Sequence, residues 1–257
     1  MSESFMQKSV RILRTEGTRK FVAKGGRAFL ERCRPLRVVF HPYARRRVPQ
    51  LAQKSYSAET AVGVAMKGLG GYIRPSQLRW EILSLARIVE KLRPRTVLEI
   101  GTSTGGTLFL WARLATPDAN LISIDLPGGE NEWAYPRWKE PFYKTFASAG
   151  QRIDLIRGDS HGTEVFGEFQ KSLGAHKIDF LFIDGDHSYA GVKKDYELYS
   201  PFVRKGGILA FHDVAVHPPI TGSEVHLFWD ELKRSQITKE FIENETQGWA
   251  GIGVVFL

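Results

Sequence analysis

Cysteine is nearly absent: Cys33 is the only one in 257 residues. A lone thiol excludes an intramolecular disulfide and fits a reducing, cytoplasmic setting. Long apolar runs are missing too. No stretch approaches the roughly 18–20 residues of a membrane-spanning helix, and the N-terminus lacks the apolar core of a secretory signal. A soluble or peripheral protein is expected. Acidic residues are scarce at one end only: residues 1–50 hold 13 Lys and Arg against 3 Asp and Glu, a balance of +10, while the rest of the chain sums to −2. The net charge of +8 therefore belongs to the N-terminal segment.

Within that segment Val10, Leu13, Phe21, Val22, Phe29 and Leu30 are set among arginines and lysines, with Gly17, Gly25 and Gly26 interrupting. The spacing predicts one or two short amphipathic helices. Such a segment either lies on an anionic membrane surface, gaining about 1 kcal/mol per basic residue close to it, or packs on the domain or a second subunit of a homo-oligomer. The aromatic interleaving of a single-strand groove is missing, so no nucleic acid is expected as a partner. Arg45-Arg46-Arg47 before Pro49 reads as the end of a linker. With 42% hydrophobic residues the chain can bury one core of about 180–200 residues plus an appendage. This predicts a basic, partly helical extension and linker over residues 1–70 and one domain over 71–257.

The domain alternates. Leu78, Ile82, Leu85, Val89 and Leu92 form one helical face closed by Pro94, leading into a short strand at Thr96-Val97-Leu98. Further strands are predicted at 121–124, 153–156, 178–183 and 207–211, separated by helix-length segments, the pattern of a parallel sheet covered on both faces. Two final runs, around 239–242 and 251–256, are joined too tightly for a crossover and must be antiparallel. The fold class is α/β: a Rossmann-like, seven-stranded mixed sheet with helices on both faces and a C-terminal antiparallel hairpin.

Chemistry concentrates after the first strand. Gly101-Thr102-Ser103-Thr104-Gly105-Gly106 is a glycine turn opening a helix, where open α/β sheets bind nucleotides. The nicotinamide fingerprint wants glycine at the third position, which here is Ser103, and Glu99 just upstream would repel a pyrophosphate. An acid there suits a cationic or hydroxyl-bearing ligand. Asp125 ends the second strand, where one carboxylate can accept two adjacent ribose hydroxyls.

Val97 to Gly101, Asp125, Gly158-Asp159-Ser160 and the terminal hairpin together resemble class I S-adenosylmethionine-dependent methyltransferases. Phe182 to Tyr189 and Gly206 to Asp213 look like the small-molecule O-methyltransferases of the catechol, caffeoyl-CoA and macrolide-sugar type. The resemblance covers about residues 70 to 257. It implies that Gly101, Thr102, Ser103 and Gly105 line the methionine moiety and that Glu99 helps anchor the cofactor. It implies further that Asp125, with Leu126 beside it, takes the ribose, and that Asp159 and Ser160 bind the adenine. Asp184 falls at the family's metal-binding aspartate and beside the cofactor, and His187 at its catalytic lysine. Methyl transfer to oxygen needs a deprotonated hydroxyl, and a histidine near neutral pKa can take that proton.

At the fifth strand the chain departs from the family pattern. Two acidic or amide ligands are usual, and here they are His212-Asp213. Imidazole suits zinc, manganese or iron better than magnesium, so a divalent metal held by Asp184, His212 and Asp213 stands beside a metal-free mechanism with His187 or His212 as base. The expected activity is O-methylation of a small-molecule or saccharide hydroxyl, with a membrane-associated glycan precursor favoured by the basic segment. A scaffold that kept the fold but lost catalysis is the other-class alternative. For a nucleic-acid methyltransferase there is no Asn-Pro-Pro-Tyr-type motif. Trp133, Tyr135 and Trp138 make the loop after the second strand a candidate acceptor rim, with His161, His217 and Trp229 as weaker ones.

Overall fold

The computed structural model describes residues 34–127 and 134–257. The expected basic helices before residue 34, Cys33 and Trp133 lie outside the described residues. The chain divides into two compact units, residues 1–44 and 45–257. The supposed linker at Arg45 to Pro49 lies inside a helix instead: α1 runs Arg34–Ala52. Ala44, Val48 and Ala52, four residues apart, are all buried on one face of it. No helix among the described residues is long and apolar enough to cross a membrane.

After α2 (Ala58–Lys67) and α3 (Arg79–Leu92) the alternation proceeds as expected. It runs β1 (Thr96–Ile100), α4 (Gly106–Leu114), β2 (Asn120–Asp125), α5 (Glu140–Lys144), β3 (Arg152–Arg157), α6 (Thr163–Leu173), β4 (Ile178–Ile183), α7 (Tyr189–Tyr199) and β5 (Val203–His212). It closes with α8 (Val225–Leu232), β6 (Ile237–Phe241) and β7 (Ile252–Phe256). The seven strands are ordered β3-β2-β1-β4-β5-β7-β6. β1 to β5 are parallel, while β7 is antiparallel to both β5 and β6. The hairpin is therefore folded in, with its second strand against β5 and its first strand at the edge.

Both sheet faces are apolar because both are covered. On one, Leu98, Ile122, Leu181 and Leu209 pack under α6, α7 and α8 through Phe169, Tyr199 and Trp229. Trp229 is thus a core residue, 1% exposed, and not a rim residue. On the other, Trp111 of α4 lies edge-on to Phe180 and Phe182, with ring centroids 4.8 and 5.4 Å away. Sequence order reverses between β1, which leads to β2 on one side, and β4 on the other. Their carboxyl ends form the crevice in which open α/β sheets bind ligands.

Candidate functional site

The crevice starts from the end of β1. The Gly101 N–H donates to the Ile124 carbonyl (2.9 Å) and the Asp184 N–H to the Ile100 carbonyl (2.8 Å), fastening the three strand ends together. Gly101 has φ +90°, and a Cβ there would stand 1.9 Å from the Asp184 carbonyl oxygen. No other residue fits. Gly105 is held as closely, its missing Cβ occupied by the Tyr143 ring, whose hydroxyl donates to the Ser103 carbonyl at 2.7 Å. The Thr102 hydroxyl is buried against that of Ser123.

Asp125 closes one side of this turn. Its Oδ2 accepts the Ser103 N–H at 2.8 Å. Burial pushes its carboxyl up to about 6, although the backbone N–H groups of Ser103, Leu126 and Thr102 and the Arg157 charge pull it down. Leu126 next to it is 40% exposed. Tyr135 is buried under the Arg157 guanidinium, 4.8 Å from its ring centroid, whereas Trp138 stays exposed, so the aromatic loop is part floor and part surface.

Glu99 points into the sheet face under α4. It is fully buried, with Oε1 accepting the Trp111 indole N–H at 3.0 Å. Burial pushes its carboxyl up to about 8, against the hydroxyls of Thr107 and Thr102 and the Trp111 indole, which lower it. Asp159 is exposed and accepts the His161 N–H at 2.9 Å, while the Ser160 carbonyl accepts the Tyr199 hydroxyl at 2.7 Å. His161 packs 3.2 Å from the buried Asp195.

On the other side of the crevice, Asp184, His187, His212 and Asp213 come together as the motif spacing suggests. His212 Nδ1 lies 3.0 Å from Asp184 Oδ1 and 3.4 Å from Asp213 Oδ1. His187 is half-exposed and stands between the carboxylates, its Nε2 3.4 Å from Asp184 and its Nδ1 3.3 Å from Asp213. Asp213 adopts φ 62°, unusual for a residue with a side chain. Burial opposes both imidazolium charges, yet the carboxylates outweigh it, raising His187 and taking His212 to about 9. Reciprocally, against the effect of burial, His212 and His187 hold Asp184 below the usual carboxylate range.

Two neighbours were hidden from the motif reading. His217 sits 3.3 Å from Asp213 Oδ1, promoted from a weak rim candidate to a member of the cluster. Gln77 donates its Nε2–H to Asp184 Oδ2 at 2.7 Å. Nothing local marks it: it lies just before α3, and only the tertiary fold brings it to β4.

Asp184, His212 and Asp213 each offer a ligand atom, all within 4.8 Å of one another. His212 Nε2 is buried with no hydrogen-bond partner among the described residues. Two carboxylates facing an imidazole fit a first-row divalent ion that accepts nitrogen better than they fit magnesium.

Residues 98–214 match a family described as a methyltransferase domain. Over 143 residues the chain is 36% identical to uncharacterized protein R132 of Acanthamoeba polyphaga mimivirus, across 54% of this chain and 61% of that protein. The chain spans less than two thirds of the length of the curated relatives it matches. Among solved structures, the O-methyltransferase TomG from Streptomyces achromogenes, in complex with S-adenosylmethionine, is similar with a TM-score of 0.54 at 17% identity, covering 79% of this chain and 91% of TomG. MycE methyltransferase from the mycinamycin biosynthetic pathway, in complex with magnesium and S-adenosylhomocysteine, gives 0.52 at 16% identity, covering 79% and 55%. Sheet order, crevice and matched segment agree: residues 98–214 match a methyltransferase domain, and the chain has the fold of these solved methyltransferases.

Proposed function

We propose that this chain transfers the methyl group of S-adenosylmethionine to a hydroxyl of a small molecule or saccharide. The observation that carries the reading is a single crevice with two different walls. One wall holds a carboxylate, Asp125, fastened to the glycine turn; the other holds the imidazole and carboxylate cluster at the ends of β4 and β5. The small-molecule acceptor class is supported by TomG, described as involved in tomaymycin synthesis, and by MycE of the mycinamycin pathway.

The residues divide the work. Asp125 accepts the ribose hydroxyls, and Gly101 to Gly105 let the cofactor approach the backbone. Glu99 acts indirectly, by fixing Thr102, Thr107 and Trp111 beneath the turn. His187 takes the acceptor hydroxyl's proton as that oxygen bonds to the methyl carbon and the carbon–sulfur bond breaks. Asp213 orients the His187 ring and stabilises its charge once protonated. A divalent ion held by Asp184, His212 and Asp213 would lower the acceptor hydroxyl's pKa. The protein's remaining contribution is alignment, since in-line displacement rewards positioning.

An assay for S-adenosylhomocysteine release over a panel of sugars, glycolipids and catechols, with mass spectrometry of the product, tests the activity. Mass added to carbon or nitrogen instead of oxygen would refute it. Asp125→Ala is expected to weaken S-adenosylmethionine binding about 100-fold in calorimetry, two charge-assisted hydrogen bonds being lost. Because burial pushes the Asp125 carboxyl up to about 6, and only the ionised carboxylate accepts from both ribose hydroxyls with full charge, wild-type affinity should fall about tenfold between pH 7.5 and about pH 5. An affinity flat over that range argues against the ribose contact. For the metal, manganese or zinc added to chelator-treated protein should raise the melting temperature where magnesium does not, and Asp184→Asn should abolish the effect.

A further inference from the structure

Gln77 is 4% exposed, and only half of its amide is accounted for. The amide nitrogen faces Asp184 Oδ2 at 2.7 Å. An ionised carboxylate can only accept, so the amide must turn its N–H toward Asp184 and its oxygen away. That oxygen, Oε1, is buried and has no partner among the described residues. An acceptor so placed needs a donor, because an unpaired buried polar atom is costly.

The side chain lines a cleft together with Pro75, Ser76, the turn Gly101 to Thr104, Thr107 and Asp184. Asp125, Asp159 and Ser160 do not line it. The cleft thus runs from the glycine turn, whose Ser103 N–H is held by Asp125, toward Asp184, and extends beyond the residues assigned to ribose and adenine. A nucleoside whose sugar rests on Asp125 can place only its amino-acid end there. That end carries an α-ammonium, a strong donor with positive charge, matched to an amide oxygen beside a carboxylate.

We propose that Gln77 is a cofactor-binding residue: its Oε1 accepts from the α-ammonium of the methionine moiety while its Nε2 fixes Asp184. The proposal rests on the cofactor reading above and adds to it a contact from the segment before α3, outside the glycine turn and strand ends. One amide thereby couples occupancy of the amino-acid subsite to the position of the carboxylate nearest the chemistry.

The test compares two ligands that differ at that end. S-adenosylhomocysteine carries the ammonium; 5′-methylthioadenosine keeps the nucleoside and sulfur but lacks the amino acid. Gln77→Leu and Gln77→Met are titrated with each by calorimetry. The expected result is S-adenosylhomocysteine affinity lowered about 10- to 100-fold, the loss of one charge-assisted hydrogen bond, with 5′-methylthioadenosine affinity unchanged. Retained 5′-methylthioadenosine binding also shows that the variants are folded. Equal losses for both ligands, or no loss for either, would overturn the role of Gln77. Failure of the wild-type chain to bind either ligand would instead remove the cofactor reading itself, and this proposal with it.

Discussion

His187→Gln should lower turnover by about 10²- to 10⁴-fold, the usual contribution of a positioned general base, with S-adenosylmethionine affinity nearly unchanged. The expectation rests on placement. His187 is the half-exposed imidazole of the cluster, reachable by an acceptor, while His212 is 5% exposed. It has a carboxylate on each side, so its ring orientation is fixed and its proton affinity raised. Glutamine keeps hydrogen-bonding capacity and approximate size but cannot hold the proton. Steady-state kinetics combined with calorimetry separates the two effects: a drop in kcat with cofactor Kd intact is expected. Wild-type turnover in the variant would transfer the role to His212 or to a metal-activated hydroxyl.

Glu99→Gln should stabilise the protein at alkaline pH. The Glu99 carboxyl is raised from 4.5 to about 8 in the folded chain, so between those values the native state keeps a proton that the unfolded state has lost. Stability contributed by the protonated form is complete below about pH 4.5 and drains away as pH climbs toward 8. Glutamine resembles the protonated acid at every pH. The variant should match the wild type near pH 5 and exceed it near pH 8 by on the order of 3–4 kcal/mol in denaturant midpoints. Identical pH profiles for the two proteins would mean that Glu99 is ionised in its pocket.

Much of the fold was legible because burial on both faces leaves strands no choice but apolar runs. Val97-Leu98, Ile122 and Phe180 to Ile183 are visible as strands for that reason alone. The tight link between the last two strands likewise forced antiparallel pairing. The order of that hairpin in the sheet was not legible, since whether β6 or β7 pairs with β5 is decided by long-range hydrogen bonds. The helix through Arg45 to Arg47 was misread as a linker, although Ala44, Val48 and Ala52 carry the period of four that marks it. Charge masked the pattern. Within the site, Asp125, Asp184, His187 and Asp213 sit at strand ends, positions that topology dictates. Gln77 joins only through tertiary packing, with no local signal beyond residue type, whereas His217 stands four residues after Asp213, a spacing the sequence does show.

The inward placement of β7 has a further consequence, for the order in which the chain is made. Synthesis delivers β5 and the His212-Asp213 pair about forty residues before Ile252–Phe256, the strand that pairs along β5 as far as His212. Until that strand leaves the ribosome, β5 presents an open edge of unpaired N–H and carbonyl groups, the kind that recruits strands from other chains. The reacting half of the crevice is therefore among the last parts of the sheet to be secured, and a nascent chain stalled within this interval would have its glycine turn in place but no finished wall opposite it.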